Sequence, residues 1–166
     1  MTAVFYISGA VALLGALMVV TRRNTVHAVL YLILSLLAVA LVFFALGAPF
    51  VAALEVIVYA GAIMVLFVFV VMMLNLGRAS EAQETTWLSP GAWAGPVVLA
   101  LILAAELIYV LASGGGAAAA GATVDVKEVG LALFGRYALA VEIASFLLLA
   151  GIVGVYHVGF RRGVEE

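Results

Sequence analysis

Five long apolar runs, separated by short polar stretches, organise the chain; they cover residues 4–20, 26–46, 51–74, 94–111 and 137–158. Each run has about the 20 residues that an α-helix needs to cross the hydrocarbon core of a bilayer. Spanning β-strands would instead alternate apolar and polar positions over segments of about 10 residues, whereas these runs are continuous. The pattern therefore predicts an all-α integral membrane protein with five transmembrane helices in a single membrane domain, residues 1–166.

The stretches between the runs predict a linker, a surface helix and interfacial anchors. Residues 113–124 are mostly Gly and Ala, which is typical of a flexible linker. Residues 125–136 are mixed in polarity and predict a short helix at the membrane surface. Trp87 and Trp93 precede the fourth run, in the position where tryptophan anchors a helix at the interface.

Composition excludes several classes of protein. Of the 166 residues, 68% are apolar and 10% are charged, and the mean hydropathy is +1.36; soluble domains are about half apolar and about a quarter charged. The absence of cysteine excludes disulfides and thiolate ligation of metals or iron–sulfur clusters. A net charge of −2 does not suggest nucleic acid as a partner. No motif for nucleophilic catalysis, phosphate binding or metal ligation is present, so the sequence predicts no catalytic residue and no metal or cofactor site in this chain.

Basic residues are distributed unequally between the two sides of the predicted helices. Only Lys127 and Arg136 fall on one side, and five arginines fall on the other: Arg22, Arg23, Arg78, Arg161 and Arg162. Because cytoplasmic ends of membrane helices carry the excess of Lys and Arg, this asymmetry predicts an N-terminus outside and a C-terminus in the cytoplasm.

Three acidic residues, Glu55, Glu106 and Glu142, interrupt the apolar runs. A carboxylate at membrane depth is costly unless it is paired, hydrated or protonated. Each lies about 7 Å inside its predicted helix, at a rise of 1.5 Å per residue, and the predicted topology places all three toward the outer side. Either each acid reaches the nearby interface or caps a neighbouring helix, or the three contribute to one hydrated path. Their recurrence in three of five helices favours the path.

The third run combines polar and small residues. Tyr59 follows Glu55 by about one helical turn and therefore shares its face. Gly61, with an alanine on each side, permits close approach of another backbone and weakens the preference for regular helix. Two interpretations remain open on these residues alone: a small-residue packing notch, or a polar and deformable part of a proton path.

Two stretches of the chain resemble subunit J of bacterial NADH:quinone oxidoreductase, respiratory complex I. The first contains VHAVLY at residues 26–31 and EVIVYAGAIMVLFVFVVMMLN at residues 55–75. The second contains VGLALFGRY at residues 129–137, followed by AVE at 140–142 and LLLAG at 147–151. The resemblance covers nearly the whole chain and is most specific at residues 51–76.

The resemblance implies a five-helix, non-redox subunit of a proton-translocating enzyme, placed in the bacterial inner membrane with other membrane-arm subunits. NADH, FMN, iron–sulfur clusters and quinone would be bound by other subunits. In this family the third helix is described as changing between an α form and a π-bulged form, near residues 59–65 here, while a hydrated path opens and closes. The implied candidates for proton transfer or coupling are Glu55, Tyr59, Gly61, Val65, Glu106 and Glu142.

Two other functions fit the same helices. One is a membrane subunit of a multisubunit cation/proton antiporter, whose components are related to complex I. The other is a purely structural subunit that joins two membrane modules. Copurification with flavin- and iron–sulfur-containing subunits distinguishes complex I from the antiporter, and variants of Glu55 and Tyr59 in a fully assembled complex distinguish a coupling role from the other two.

Overall fold

The computed structural model describes residues 1–22, 24–74, 90–113 and 123–162, and within these ranges it contains helices and no strand. Five of the helical stretches are long and apolar enough to cross a membrane, which confirms the five predicted spans. The helices are α1 (Thr2–Thr21), α2 (Thr25–Ala45), α3 (Pro49–Leu54), the π-helix π1 (Glu55–Ile63), α4 (Met64–Leu74), α5 (Pro90–Ala112), α6 (Val126–Phe134) and α7 (Ala138–Arg162). The third span consists of α3, π1 and α4 in sequence.

Several predictions fall on residues outside the described ranges. These are most of the linker at residues 113–124, the anchor Trp87, and the arginines Arg23 and Arg78 that support the predicted orientation. Within the described part, the chain divides into two compact units, Met1–Val124 and Asp125–Glu166. The single membrane domain expected for residues 1–166 stays a prediction.

In the first unit, α2 is the central helix, and α1, the third span and α5 all pack against it. Two apolar clusters define how the helices run. One cluster contains Val4, Ala45 and Val110, and the other contains Val11, Ala38 and Leu103. From the first cluster to the second, the residue number increases in α1 but decreases in α2 and in α5. Helix α2 is therefore antiparallel to α1 and parallel to α5. The N-terminus of α1 and the C-termini of α2 and α5 therefore lie at one end of the unit.

Small residues allow α1 and α2 to approach closely. A Cβ added to Gly15 would stand 3.0 Å from the Cβ of Ser35, and the Ser35 hydroxyl donates a 2.9 Å hydrogen bond to the Ala12 carbonyl. Packing between membrane helices depends on such close backbone contact, because lipid removes the hydrophobic driving force between them. The glycine and the serine hydroxyl thus fix α1 against α2 near the middle of both helices.

The opposite end of the unit gathers polar and aromatic side chains. Asn24 caps α2, its side-chain oxygen accepting from the backbone N–H groups of Val26 and His27. His27 is buried and meets the predicted anchor Trp93 edge to face, with ring centroids 6.0 Å apart. Tyr31 is buried too, and its hydroxyl occupies the space that a Cβ at Gly95 would need. These contacts join the start of α2 to the start of α5.

The second unit contains α6 and α7. Asp125 caps α6, its carboxylate accepting from the Val126 N–H at 2.8 Å, so the predicted short helix at residues 125–136 forms over Val126–Phe134. The chain turns at Gly135, and the Tyr137 N–H donates to the Ala132 carbonyl at 2.9 Å. The long helix α7 follows this turn.

Candidate functional site

The third span begins at a tight turn. Gly47 has φ 83°, a left-handed conformation that glycine adopts without strain, and Pro49 is the first residue of α3. The Val124 N–H donates to the Gly47 carbonyl at 2.9 Å and ties a later segment of the same unit to this turn. After six residues, α3 gives way to π1 at Glu55.

In π1, backbone N–H groups reach carbonyls five residues back instead of four. At its end, for example, the Met64 N–H points at the carbonyl of Tyr59 as well as that of Gly61. The β-branched residues 56–58 and Gly61 all have a lower helix preference than alanine. The sequence therefore favours α winding only weakly in this segment. Because π-helical segments are rare and concentrate at functional sites, π1 marks the third span as the candidate site.

Little of π1 is covered by the rest of the described chain. None of its nine residues is buried there. Glu55 is half-buried, Tyr59 exposes 50% of its surface, and Val65, the second residue of α4, exposes 65%. The Tyr59 hydroxyl makes no hydrogen bond to another described residue, so it does not bond to Glu55. A bilayer or neighbouring subunits must therefore cover this surface.

An apolar groove of about 610 Å³ lies beside π1, between α2, α3 and α5. It reaches Val56, the second residue of π1, and is lined there by alanines of α3 and α5. The groove therefore leaves open space next to the start of the π-helical segment.

The three acids are placed differently. Glu55 lies six residues after Pro49 and Glu106 six residues before Ala112, so each is about 9 Å from the same end of the first unit. Glu106 is buried, and one of its carboxylate oxygens accepts a hydrogen bond from Ser8 at 2.8 Å. Glu142 lies in the second unit, on α7, with its side chain exposed.

Sequence reasoning did not identify Ser8. A signal exists, since Ser8 is a hydroxyl residue in the middle of an apolar run, six residues from the start of α1, just as Glu106 is six residues from the end of α5. Equal depth in antiparallel helices makes contact feasible. The periodicity of either helix, however, does not show that the two faces meet.

Comparisons with known proteins agree with this architecture. A profile of the family described as NADH-ubiquinone/plastoquinone oxidoreductase chain 6 matches residues 15–158. NADH-quinone oxidoreductase subunit J of Pseudomonas aeruginosa is 60% identical over 156 residues, covering 93% of this chain and 94% of that protein. The protein of the same name from Escherichia coli strain K12 is 55% identical over 162 residues (98% and 88%), and the one from Buchnera aphidicola is 47% identical over 159 residues (96% and 98%).

The profile spans most of the chain, and the high identities extend over nearly its full length, including all five apolar helices. This multi-pass membrane chain belongs to the NADH-ubiquinone/plastoquinone oxidoreductase chain 6 family, among the bacterial proteins named NADH-quinone oxidoreductase subunit J.

Proposed function

We propose that this chain is a membrane-arm subunit of a proton-translocating NADH-quinone oxidoreductase and that its third span gates a hydrated proton path. The observation that carries the proposal is π1, the nine-residue π-helix within that span. The names of the relatives support the assignment to the complex. The chain itself would hold no redox centre, and NADH, FMN, iron–sulfur clusters and quinone would be bound by other subunits.

A change of winding in π1 is compatible with the membrane. Lipid offers no hydrogen-bond partners, so a spanning helix can rearrange only if its N–H and carbonyl groups stay paired. When π winding changes to α winding, each backbone N–H exchanges the carbonyl five residues back for the carbonyl four residues back. The backbone groups therefore stay hydrogen-bonded. A π segment accommodates one extra residue relative to α winding. Loss of that extra residue rotates the helix that follows by about 100° about its axis, relative to the helix that precedes it. The groove beside Val56 provides room for this movement.

The candidate residues have different roles in this proposal. Gly61 is the point of deformation, and Val65 on α4 rotates relative to Glu55 when the winding changes. Glu55 and Tyr59 supply a carboxylate and a hydroxyl to the hydrated path, on a surface that the described chain leaves uncovered. Glu142 and Glu106 are further proton-transfer candidates on other helices. Quinone chemistry elsewhere in the complex tips the equilibrium between the two windings, which requires a difference of only a few kcal/mol.

The partners follow from the same proposal. The chain assembles with other membrane-arm subunits in the bacterial inner membrane, and these subunits cover π1 and Val65. The N-terminus lies outside and the C-terminus in the cytoplasm. Copurification of a tagged chain with flavin- and iron–sulfur-containing subunits tests membership of the complex. Copurification with antiporter subunits alone would contradict it.

The gating role is tested with Gly61→Leu in the assembled complex. A leucine side chain opposes π winding at this position, so we expect proton pumping and NADH:quinone turnover to fall together while electron transfer from NADH to an artificial acceptor is kept. Gly9→Leu is the matched control, because Gly9 is a helical glycine of the same unit, and an added Cβ there would have no atom within 4 Å beyond its chain neighbours and its own helix backbone. An assembled Gly61→Leu complex that pumps at the wild-type rate would contradict gating. Failed assembly of Gly61→Leu, with normal activity in Tyr59→Phe, would support a packing notch instead.

A further inference from the structure

A buried carboxyl group lies between α1 and α5. Ser8 Oγ donates to Glu106 Oε2 at 2.8 Å, across 98 positions of sequence. Ser8 is 0% exposed and Glu106 is 7% exposed. Glu106 Oε1 is also buried and has no hydrogen-bond partner among the described residues. The carboxyl group is therefore held through one oxygen, while the other is left without a donor.

Apolar layers close this pair off on both sides. Ser8 lies four residues after Val4 and three before Val11, and Glu106 lies four residues before Val110 and three after Leu103. Both residues are thus about one helical turn from each apolar cluster. The clusters, completed by alanines of α2, pack above and below the polar pair. The hydrogen bond therefore lies between two layers of apolar side chains.

Among the described residues, no cation lies in this layer between the apolar clusters. The sequences of α1 and α5 contain no Lys, Arg or His. The basic side chain of α2, His27, lies 11 residues before Ala38, about 16 Å along the helix. The amino group of Met1 lies seven residues before Ser8, about 10 Å toward the end of the unit. The other ionisable side chains on the helices of this unit carry no positive charge: Tyr6, Tyr31, Glu55, Tyr59 and Tyr109.

We propose that Glu106 is a proton-binding site that holds its proton as a neutral carboxylic acid, with Ser8 as its positioning residue. An isolated carboxylate in a layer without a counterion is expensive, and such a group takes up a proton instead. The proton comes from a hydronium ion of the solvent: one of its O–H bonds breaks, an O–H bond forms on the carboxyl group, a neutral water is left, and the charge of Glu106 changes from −1 to zero. The 2.8 Å contact with Ser8 suits both directions of donation, so the neutral acid can donate to Ser8 Oγ.

This site is separate from π1. Glu55 is at the beginning of π1, on a helix that packs against α2, whereas the Glu106 side chain meets α1. A neutral Glu106 joins α5 to α1 through a hydrogen bond. Loss of its proton would leave an unpaired charge between the two apolar clusters and would favour separation of α5 from α1. Proton binding does not depend on the proposed function; only the use of this proton in coupling rests on it.

Infrared difference spectroscopy of the assembled complex tests the proton-binding site. We expect wild type minus Glu106→Gln, in neutral buffer, to show the C=O stretch of a protonated carboxylic acid, with the usual downshift in D₂O. Glu128→Gln removes an exposed acid of α6 and is the matched control, which should leave this band unchanged. A difference spectrum that contains only carboxylate bands would overturn the proposal.

Ser8→Ala tests the positioning role without changing the acid. Loss of the hydroxyl removes one hydrogen bond, so the same carbonyl band should move to higher frequency; Ser145→Ala, in which the lost hydroxyl donates within its own helix at 2.7 Å, should not move it. An unshifted band in Ser8→Ala would contradict the role of Ser8. Because glutamine resembles the neutral acid, Glu106→Gln should also assemble in normal yield, and failure to assemble would count against a neutral Glu106.

Proton pumping measured in the same Glu106→Gln complex separates this proposal from the proposed function. Loss of the band together with reduced pumping supports both the proton site and its use in coupling. Loss of the band with wild-type pumping keeps the proton site and removes Glu106 from the coupling residues.

Discussion

A Cβ added to Gly61 would stand 3.1 Å from the carbonyl oxygen of Val56, the residue five positions earlier. Contacts between a Cβ and a backbone oxygen at this distance are tight, so the backbone would have to give way slightly. In π winding, a backbone N–H donates to the carbonyl five residues back, and for residue 61 that carbonyl belongs to Val56. The close contact therefore involves the acceptor that is specific to the π form. Glycine at this position relieves the π form of that contact.

Gly61→Ala should shift the segment toward α winding. Alanine has a higher helix preference than glycine by about 1 kcal/mol, which corresponds to roughly a fivefold change in an equilibrium. The added methyl also presses on the Val56 oxygen. We expect slower quinone-coupled pumping and slower amide hydrogen exchange in residues 55–63 of the assembled complex. Gly9→Ala gains the same helix preference with open space around the methyl, and equal behaviour of the two variants would contradict the prediction.

Tyr59→Phe should reduce pumping less than Gly61→Leu does. The ring remains and only the hydroxyl is lost from the proposed path, and one hydrogen bond contributes about 0.5–1.5 kcal/mol, or roughly two- to tenfold in rate. The measurement is the rate of NADH-driven proton pumping in membranes with equal amounts of complex. Tyr6→Phe, on the exposed surface of α1, is the control. Identical pumping in the two variants would remove the Tyr59 hydroxyl from the path.

Gly95→Ala should destabilise the first unit. The buried Tyr31 hydroxyl occupies the space that the new methyl needs, and overpacking of a filled site costs about 1–3 kcal/mol. We expect a lower yield of assembled complex and faster thermal inactivation. Tyr31→Phe removes the hydroxyl, so the double variant should recover most of the loss. No recovery in the double variant would show that the clash with Tyr31 is not the cause.

The orientation of the chain can be measured with reporter fusions. A reporter active only in the cytoplasm should be active when fused after Glu166, because five of the seven basic residues lie on the predicted cytoplasmic side. The same reporter inserted within residues 114–122 should be inactive, since that segment is predicted to lie outside. The reverse pattern would invert the topology.

Part of this architecture follows from the sequence because hydropathy is a local property. A run of about 20 apolar residues can satisfy its backbone in lipid only as a helix, whatever its neighbours are, so the number and type of the spans could be predicted. The candidates Glu55, Glu106 and Glu142 were visible for the same reason, since a charged residue in an apolar run stands out without knowledge of contacts.

Packing decided the rest. The partnership of Ser8 with Glu106 depends on which faces of α1 and α5 meet, and in helices that are apolar on every side the sequence contains too little amphipathic pattern to orient them. Gly61 and its β-branched neighbours permit the winding of π1. The choice between acceptors four and five residues back is, however, a small free-energy difference that the local sequence does not settle. The exposure of Tyr59 likewise depends on the absence of a covering helix over π1 in the described part of the chain, which no local pattern records.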